Sequence, residues 1–155
     1  MKTLLFIGVG TAAVVAASSA APEPGHAQPR NASAARAQRV FDEGVRVVAR
    51  LRGDTHALPS SVARCAGCHE RSGTSLSRPA NGIAEAAPGL GAATLLQATS
   101  RRRGPPSRYD EDTFCRLLAS GVDPGGVVVA RSMPVYAIEP TDCHALWQWL
   151  VAPPS

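Results

Sequence analysis

The hydrophobic pattern begins with an apolar run from Leu4 to Ala17, uninterrupted by charge, and then dissolves into PEPGHAQPRNASAA, residues 22–35. A basic start at Lys2, an apolar stretch and small residues after it predict an export signal over residues 1–21, cut after Ala20 or Ala27. The competing reading is an uncleaved anchor, for which this Ala- and Gly-rich run is poorly suited. The small, polar, Pro-rich stretch that follows predicts a flexible leader over 22–35 and a folded domain over 36–155. Periodicity first appears in ASAARAQRVFDE, which predicts a helix with Ser33 as candidate cap and Gly44 as its stop. The next segment, VRVVARLR, fits two periods. Val45, Val47, Ala49 and Leu51 alternate with arginines as in a half-buried strand, while Val40, Gly44, Val47, Val48 and Leu51 suit a continued helix. The glycine favours helix, stop, then an extended segment.

Gly53-Asp54 is a turn signal, and LPSSVARCAGCH opens a further helix after Pro59, with Ser60 or Ser61 as cap. The middle of the chain, SGTSLSRPANGIAEAAPGLGAA, is too rich in Gly and Pro for a long helix, yet ATLLQATS has helical character. DEDTFCRLLASG carries the strongest helix signal: acidic residues in the first turn, then Phe114, Leu117 and Leu118, then Gly121 as terminator. VDPGGVVVARSMPVY reads as a loop with a short apolar run. TDCHALWQWLVA reads as a last helix starting at Thr141 or Asp142 and closed by Pro153 and Pro154. Trp147 and Trp149 fall on different faces, so one is expected inside and the other partly exposed. No internal repeat is present.

Composition changes this picture in two respects. Two Trp, two Tyr and three Phe in 155 residues leave few aromatic side chains to fill a core, so something else has room in the middle. A charge of +4, from fifteen Arg and one Lys against twelve acids, is too small and dispersed to argue for nucleic acid. Four cysteines matter more. Outside the cytosol thiols oxidise, so each is expected to be bonded, with Cys65 and Cys68 forming a close pair and Cys115 and Cys143 a distant one.

The close pair stands in C-x-x-C-H. On a helix, residues three apart share a face, so the two sulfurs can each take one vinyl group of a haem while His69 turns toward the iron. The spacing predicts one covalently attached haem c, with Cys65, Cys68 and His69 as its residues. A thioredoxin-like pair would want alternating strands and helices around it, and a zinc site would want a second close pair, which adjacent Cys143-His144 supplies poorly. Iron then needs a sixth ligand. Apart from Met1 the only methionine is Met133, sixty-four residues beyond His69 in RSMPVY, stiffened by Pro134. Its loop setting favours a ligand over a core methionine. His26 in the leader, His56 in a turn and His144 on the last helix are the competitors.

CAGCHERSG, PGL, YDEDTFCRLLASGVDP and SMPVY together resemble the class I single-haem cytochromes c of bacterial periplasms, in particular the cytochrome domains that accompany exported dehydrogenases. The likeness covers about residues 37–151 and is concentrated at the haem motif and the methionine loop. It implies a mostly α, small helical fold wrapped around one covalent haem, with His69 and Met133 as axial ligands and the Pro88 carbonyl bonded to His69 Nδ1. It also implies a first helix crossing the last, with Ala37 and Phe41 against Trp147 and Leu150. Arg101, with Arg102, Arg103 and Tyr109, follows the loop that would pass the haem propionates; a solvated basic turn is the alternative there. Tyr136 would line the haem edge or fill the core. The chain departs from the family where some twenty residues separate the first helix from the haem motif, either as an insertion of VRVVARLRGDTHALPSS or because a different helix is the true match. Ala37 also replaces the usual Gly.

The expected function is one-electron transfer in the periplasm by a protein that is not itself an enzyme. A dehydrogenase or reductase would be the donor, an oxidase or another cytochrome the acceptor, and the membrane would be involved only if the N-terminal segment is retained. The alternatives are a haem enzyme or gas or redox sensor with a labile sixth ligand, and a haem-free thiol oxidoreductase. A Cys115–Cys143 bridge would bracket Met133 and stabilise the fold by about 3 kcal/mol.

Overall fold

A computed structural model describes residues 29–72, 76–77 and 87–153 of the chain. The export segment, the leader up to residue 28 and His26 lie outside these residues. The first helix, α1 (Pro29–Glu43), starts inside the stretch expected to be leader, ahead of Ser33. It buries Ala37, Val40 and Phe41, the i, i+3, i+4 stripe of an amphipathic helix. Gly44 ends it with φ +66° and an amide bond to the Val40 carbonyl of 3.1 Å. A Cβ on Gly44 would stand 2.7 Å from the Ser60 carbonyl oxygen, so glycine is required both by the turn and by the neighbour.

Beyond that turn the extended reading holds. Strand β1 (Val47–Arg50) follows, then the short helix α2 (Ser60–Ala63), with Pro59 rather than a serine in the capping position. Arg64 is extended, and it separates α2 from a 3₁₀ turn over Cys65–Gly67. The motif therefore stands on a 3₁₀ turn and not on the α-helix assumed for it. Cys65 opens that turn and Cys68 follows it, its amide bonded to the Cys65 carbonyl at 3.0 Å.

Two short ladders come next: β2 (Leu76–Ser77) with β3 (Ala87–Pro88), and β4 (Thr99–Ser100) with β5 (Pro106–Ser107). Helix α3 (Ala92–Leu95) lies between them. Helix α4 (Glu111–Ser120) has the expected acidic first turn, and Gly121 closes it in the left-handed region. The stretch expected as loop ends inside β6 (Val135–Ile138), which takes its last two residues, Val135 and Tyr136; α5 (Pro140–Val151) follows and begins one residue early because proline is at home in a first helical position. Strands β1 and β6 pair antiparallel, Val47 opposite Ile138 and Arg50 opposite Val135.

The result is a small mixed fold with more helix than strand, not the mostly α, all-helical domain anticipated. The β1–β6 ladder is the main reason, and neither strand buries a continuous apolar face of its own. The core joins Val40 and Phe41 of α1, Leu95, Tyr109, three residues of α4, and Cys143, Leu146, Trp147 and Leu150 of α5. Helices α1 and α5 do pack together, but Phe41 meets Trp149, ring centroids 5.4 Å apart, whereas Trp147 meets Phe114, also at 5.4 Å. Trp147 is buried and Trp149 half-buried, as the two faces predict. No helix among the described residues is long and apolar enough to cross a membrane.

Candidate functional site

The 3₁₀ turn gives Cys65, Cys68 and His69 their relative positions through the Cys65 carbonyl. It accepts the Cys68 amide at 3.0 Å and the His69 amide at 2.9 Å. Both thiols are unbridged, while Cys115 and Cys143 are joined as a disulfide with Cα atoms 6.1 Å apart. The two pairs thus divide as their spacing suggested.

His69 Nδ1 lies 2.8 Å from the Pro88 carbonyl oxygen. A carbonyl only accepts, so Nδ1 donates, and in the neutral ring the lone pair is then on Nε2. The protein around His69 lowers its pKa by desolvation, which the Pro88 bond partly opposes. A neutral imidazole with Nδ1 occupied is the form in which histidine ligates a metal. The segment that provides Pro88 is held to the motif by a second bond, from the Leu90 amide to the Glu70 carbonyl at 2.8 Å.

Cys65 stands against the apolar core. It lines a cavity of about 10 Å³ together with Val40, Val47, Leu118, Tyr136, Ile138 and Leu146. Burial pushes its thiol up to about 12, and the neighbouring Cys68 adds to the shift. Such a thiol is a poor thiolate, the opposite of the activated cysteine of a redox C-x-x-C. Tyr136 is half-buried on β6 and packs on the same core; desolvation raises its phenol, with Cys65 and Cys68 contributing. It lines the same cavity wall as Cys65.

Met133 is half-buried and packs against that core as well. Its amide closes a turn onto the Ala130 carbonyl at 3.0 Å, and β6 begins two residues later.

Arg101 and Tyr109 come together at the β4–β5 hairpin. The guanidinium sits over the Tyr109 ring, 4.6 Å from its centroid. It donates to the carbonyls of Thr94 at 3.2 Å and Ser107 at 2.5 Å. Tyr109 is buried, and desolvation pushes its phenol up to about 12 against the pull of Arg101. Arg102 and Arg103 take positive φ in the β4–β5 hairpin. Of the competing histidines, His56 is exposed and bonded to Asp54 at 2.9 Å, and His144 is exposed and bonded to Glu111 at 2.6 Å.

Two residues escaped the sequence reading. Arg71, two positions after His69, lies 4.2 Å from the Trp149 ring centroid and donates to the Trp149 carbonyl at 2.9 Å, fastening the segment after the motif to α5. Arg52 reaches from the end of β1 to Gly121 and Val129. An arginine beside a motif carries no mark of its partner when that partner is some 70 residues away, so only the fold reveals these contacts. Among the described residues no group of three or more His, Cys, Asp or Glu side chains is placed to hold a metal ion. Set against protein-family models, curated proteins and solved structures, the chain has no match in any of the three.

Proposed function

We propose that the chain is an exported one-electron carrier, a cytochrome c of the class I type with a single covalent haem. The observation that carries the reading is the His69–Pro88 contact of 2.8 Å within C-x-x-C-H. It fits the ring for a metal bond through Nε2, directly after two thiols that remain unbridged. The elevated Cys65 thiol weighs against thiol-redox chemistry, because that chemistry needs an accessible thiolate.

When bound, haem supplies reversible ferrous–ferric exchange. Cys65 and Cys68 would hold it through thioethers, and His69 and Met133 would ligate its iron. Pro88 fixes the tautomer and orientation of the His69 ring. The apolar wall of Val40, Val47, Leu118 and Leu146 beside Cys65 keeps water from that side, and a thioether at Met133 favours the reduced state. Arg101, already committed to the Ser107 and Thr94 carbonyls, would steady the loop near the propionates. The donor would be a periplasmic dehydrogenase or reductase and the acceptor an oxidase or another cytochrome.

Expression in a host with haem-attachment machinery tests the reading. The purified protein should be red, its mass should equal the chain plus one haem, and its ferric form should show the absorption band of sulfur-ligated iron. Met133→Ala should keep the mass, lose the band and bind carbon monoxide when reduced. A colourless product with the mass of the bare chain overturns the proposal. A parent that binds carbon monoxide as well as Met133→Ala moves the assignment to a haem protein with an open sixth position.

A further inference from the structure

The segment between α1 and the haem motif, residues 45–59, meets the methionine loop from both sides. At the entry, Arg52 donates to the Gly121 carbonyl at 3.4 Å and the Val129 carbonyl at 2.5 Å. The Gly121 carbonyl also accepts the Val129 amide at 2.9 Å, so one guanidinium spans the neck of the loop. Its fit is close: a Cβ on Gly121 would come within 2.2 Å of Arg52 Nη1. At the exit, Val135 is paired with Arg50 of β1, two residues from Arg52. Met133 lies between these two fastenings, four residues after Val129 and two before Val135.

We propose that Arg52, with β1, is a positioning brace for Met133, so that the 45–59 segment governs whether the sixth position of the iron is filled. This rests on the haem reading above. A thioether is a weak, neutral ligand, and its occupancy depends on how far the loop can stray. The turn holding Met133 has its own amide bond to Ala130, and the Asp123 carboxylate secures the loop tip by accepting the Val127 amide at 2.8 Å. Arg52 is the side chain that joins the loop's neck to the segment leading into the haem motif. The long spacer between the first helix and C-x-x-C-H is thereby assigned a task.

The test uses the haem-loaded protein and its variants Arg52→Ala and Arg52→Gln, with Arg39→Gln as control, since Arg39 makes only an exposed pair with Glu43 at 3.4 Å. Both Arg52 variants should keep covalent haem and helical content, weaken the sulfur-ligation band, and bind carbon monoxide about tenfold or more tightly than the parent. The control should match the parent. In the parent, hydrogen exchange should show the Val129 and Met133 amides protected. A folded, haem-bearing Arg52 variant with parental carbon monoxide affinity overturns the brace, as do Val129 and Met133 amides that exchange like free chain in the parent. Absence of haem from parent and variants alike overturns the earlier reading instead.

Discussion

Asp110 shows how one carboxylate is built into the start of a helix. Its Oδ1 accepts the Thr113 hydroxyl at 2.6 Å and the Thr113 amide at 2.8 Å, while the Asp110 amide donates to Thr113 Oγ1 at 2.9 Å. These bonds, the hydroxyl foremost, hold the carboxyl below its ordinary 3.8. Because the fold prefers the ionised form, its contribution is complete above pH 3.8 and is lost as pH falls through the lower folded value. Asp110→Ala should therefore cost about 1 kcal/mol at neutral pH. Asp110→Asn retains an acceptor and should be nearly neutral there, but should lose less stability than the parent on acidification. Urea denaturation at neutral pH and at about pH 3 measures both; equal acid losses in parent and Asn variant would refute the linkage.

At the scale of elements, what was legible depended on whether the signal was local. Helix α4 was readable because its cap, first-turn acids, apolar stripe and terminator all lie within a dozen residues, and α5 from its first-turn Asp142 and its apolar positions, although no side chain caps its start. The extended character of β1 was readable from its alternation with arginines. Strand β6 was not, since it has only four residues and its partner lies about 85 positions upstream. The start of α1 was misplaced because small polar residues that look like linker become helix when the stripe behind them docks on α5. At the site, Cys65, Cys68 and His69 could be named from spacing and Pro88 from resemblance, whereas Arg52 and Arg71 could not, because their meaning lies in distant carbonyls. The disulfide is the element-scale link that the expectation of an oxidising compartment did suggest, against the alternative of two buried free thiols. It ties α4 to α5 across 28 residues that include the methionine loop. Replacing both Cys115 and Cys143 with Ala should lower stability by about 3 kcal/mol in the chain-entropy account. Chemical denaturation of the parent and this double variant tests this; an unchanged midpoint would mean that α4–α5 packing already confines the loop.

At the scale of the whole molecule, the two ends of the described chain are joined by a buried charge. Asp142, in the first turn of α5, is fully buried and takes Arg46 Nε at 2.7 Å, across 96 residues of sequence. Arg36 Nη1 of α1 lies 3.7 Å from the other carboxylate oxygen, which makes no hydrogen bond. That separation gives Coulomb attraction without a bond, so the carboxylate depends mainly on Arg46. The two partners are unequal in exposure: Arg46 is about half exposed and can be hydrated if its partner goes, while Asp142 cannot. Arg46→Ala, which strands the carboxylate, should therefore destabilise the protein by about 3 kcal/mol. The left-handed backbone at Arg46, φ +63°, does not confuse the comparison, because Ala and Arg meet the same restriction there. Adding Asp142→Asn to Arg46→Ala removes the stranded charge and should recover part of the loss, making the double variant more stable than Arg46→Ala alone. A double-mutant cycle by chemical denaturation reads this directly. If the two substitutions simply add, the buried carboxylate does not depend on Arg46, and of the two cations only Arg36 of α1 is left to attract it.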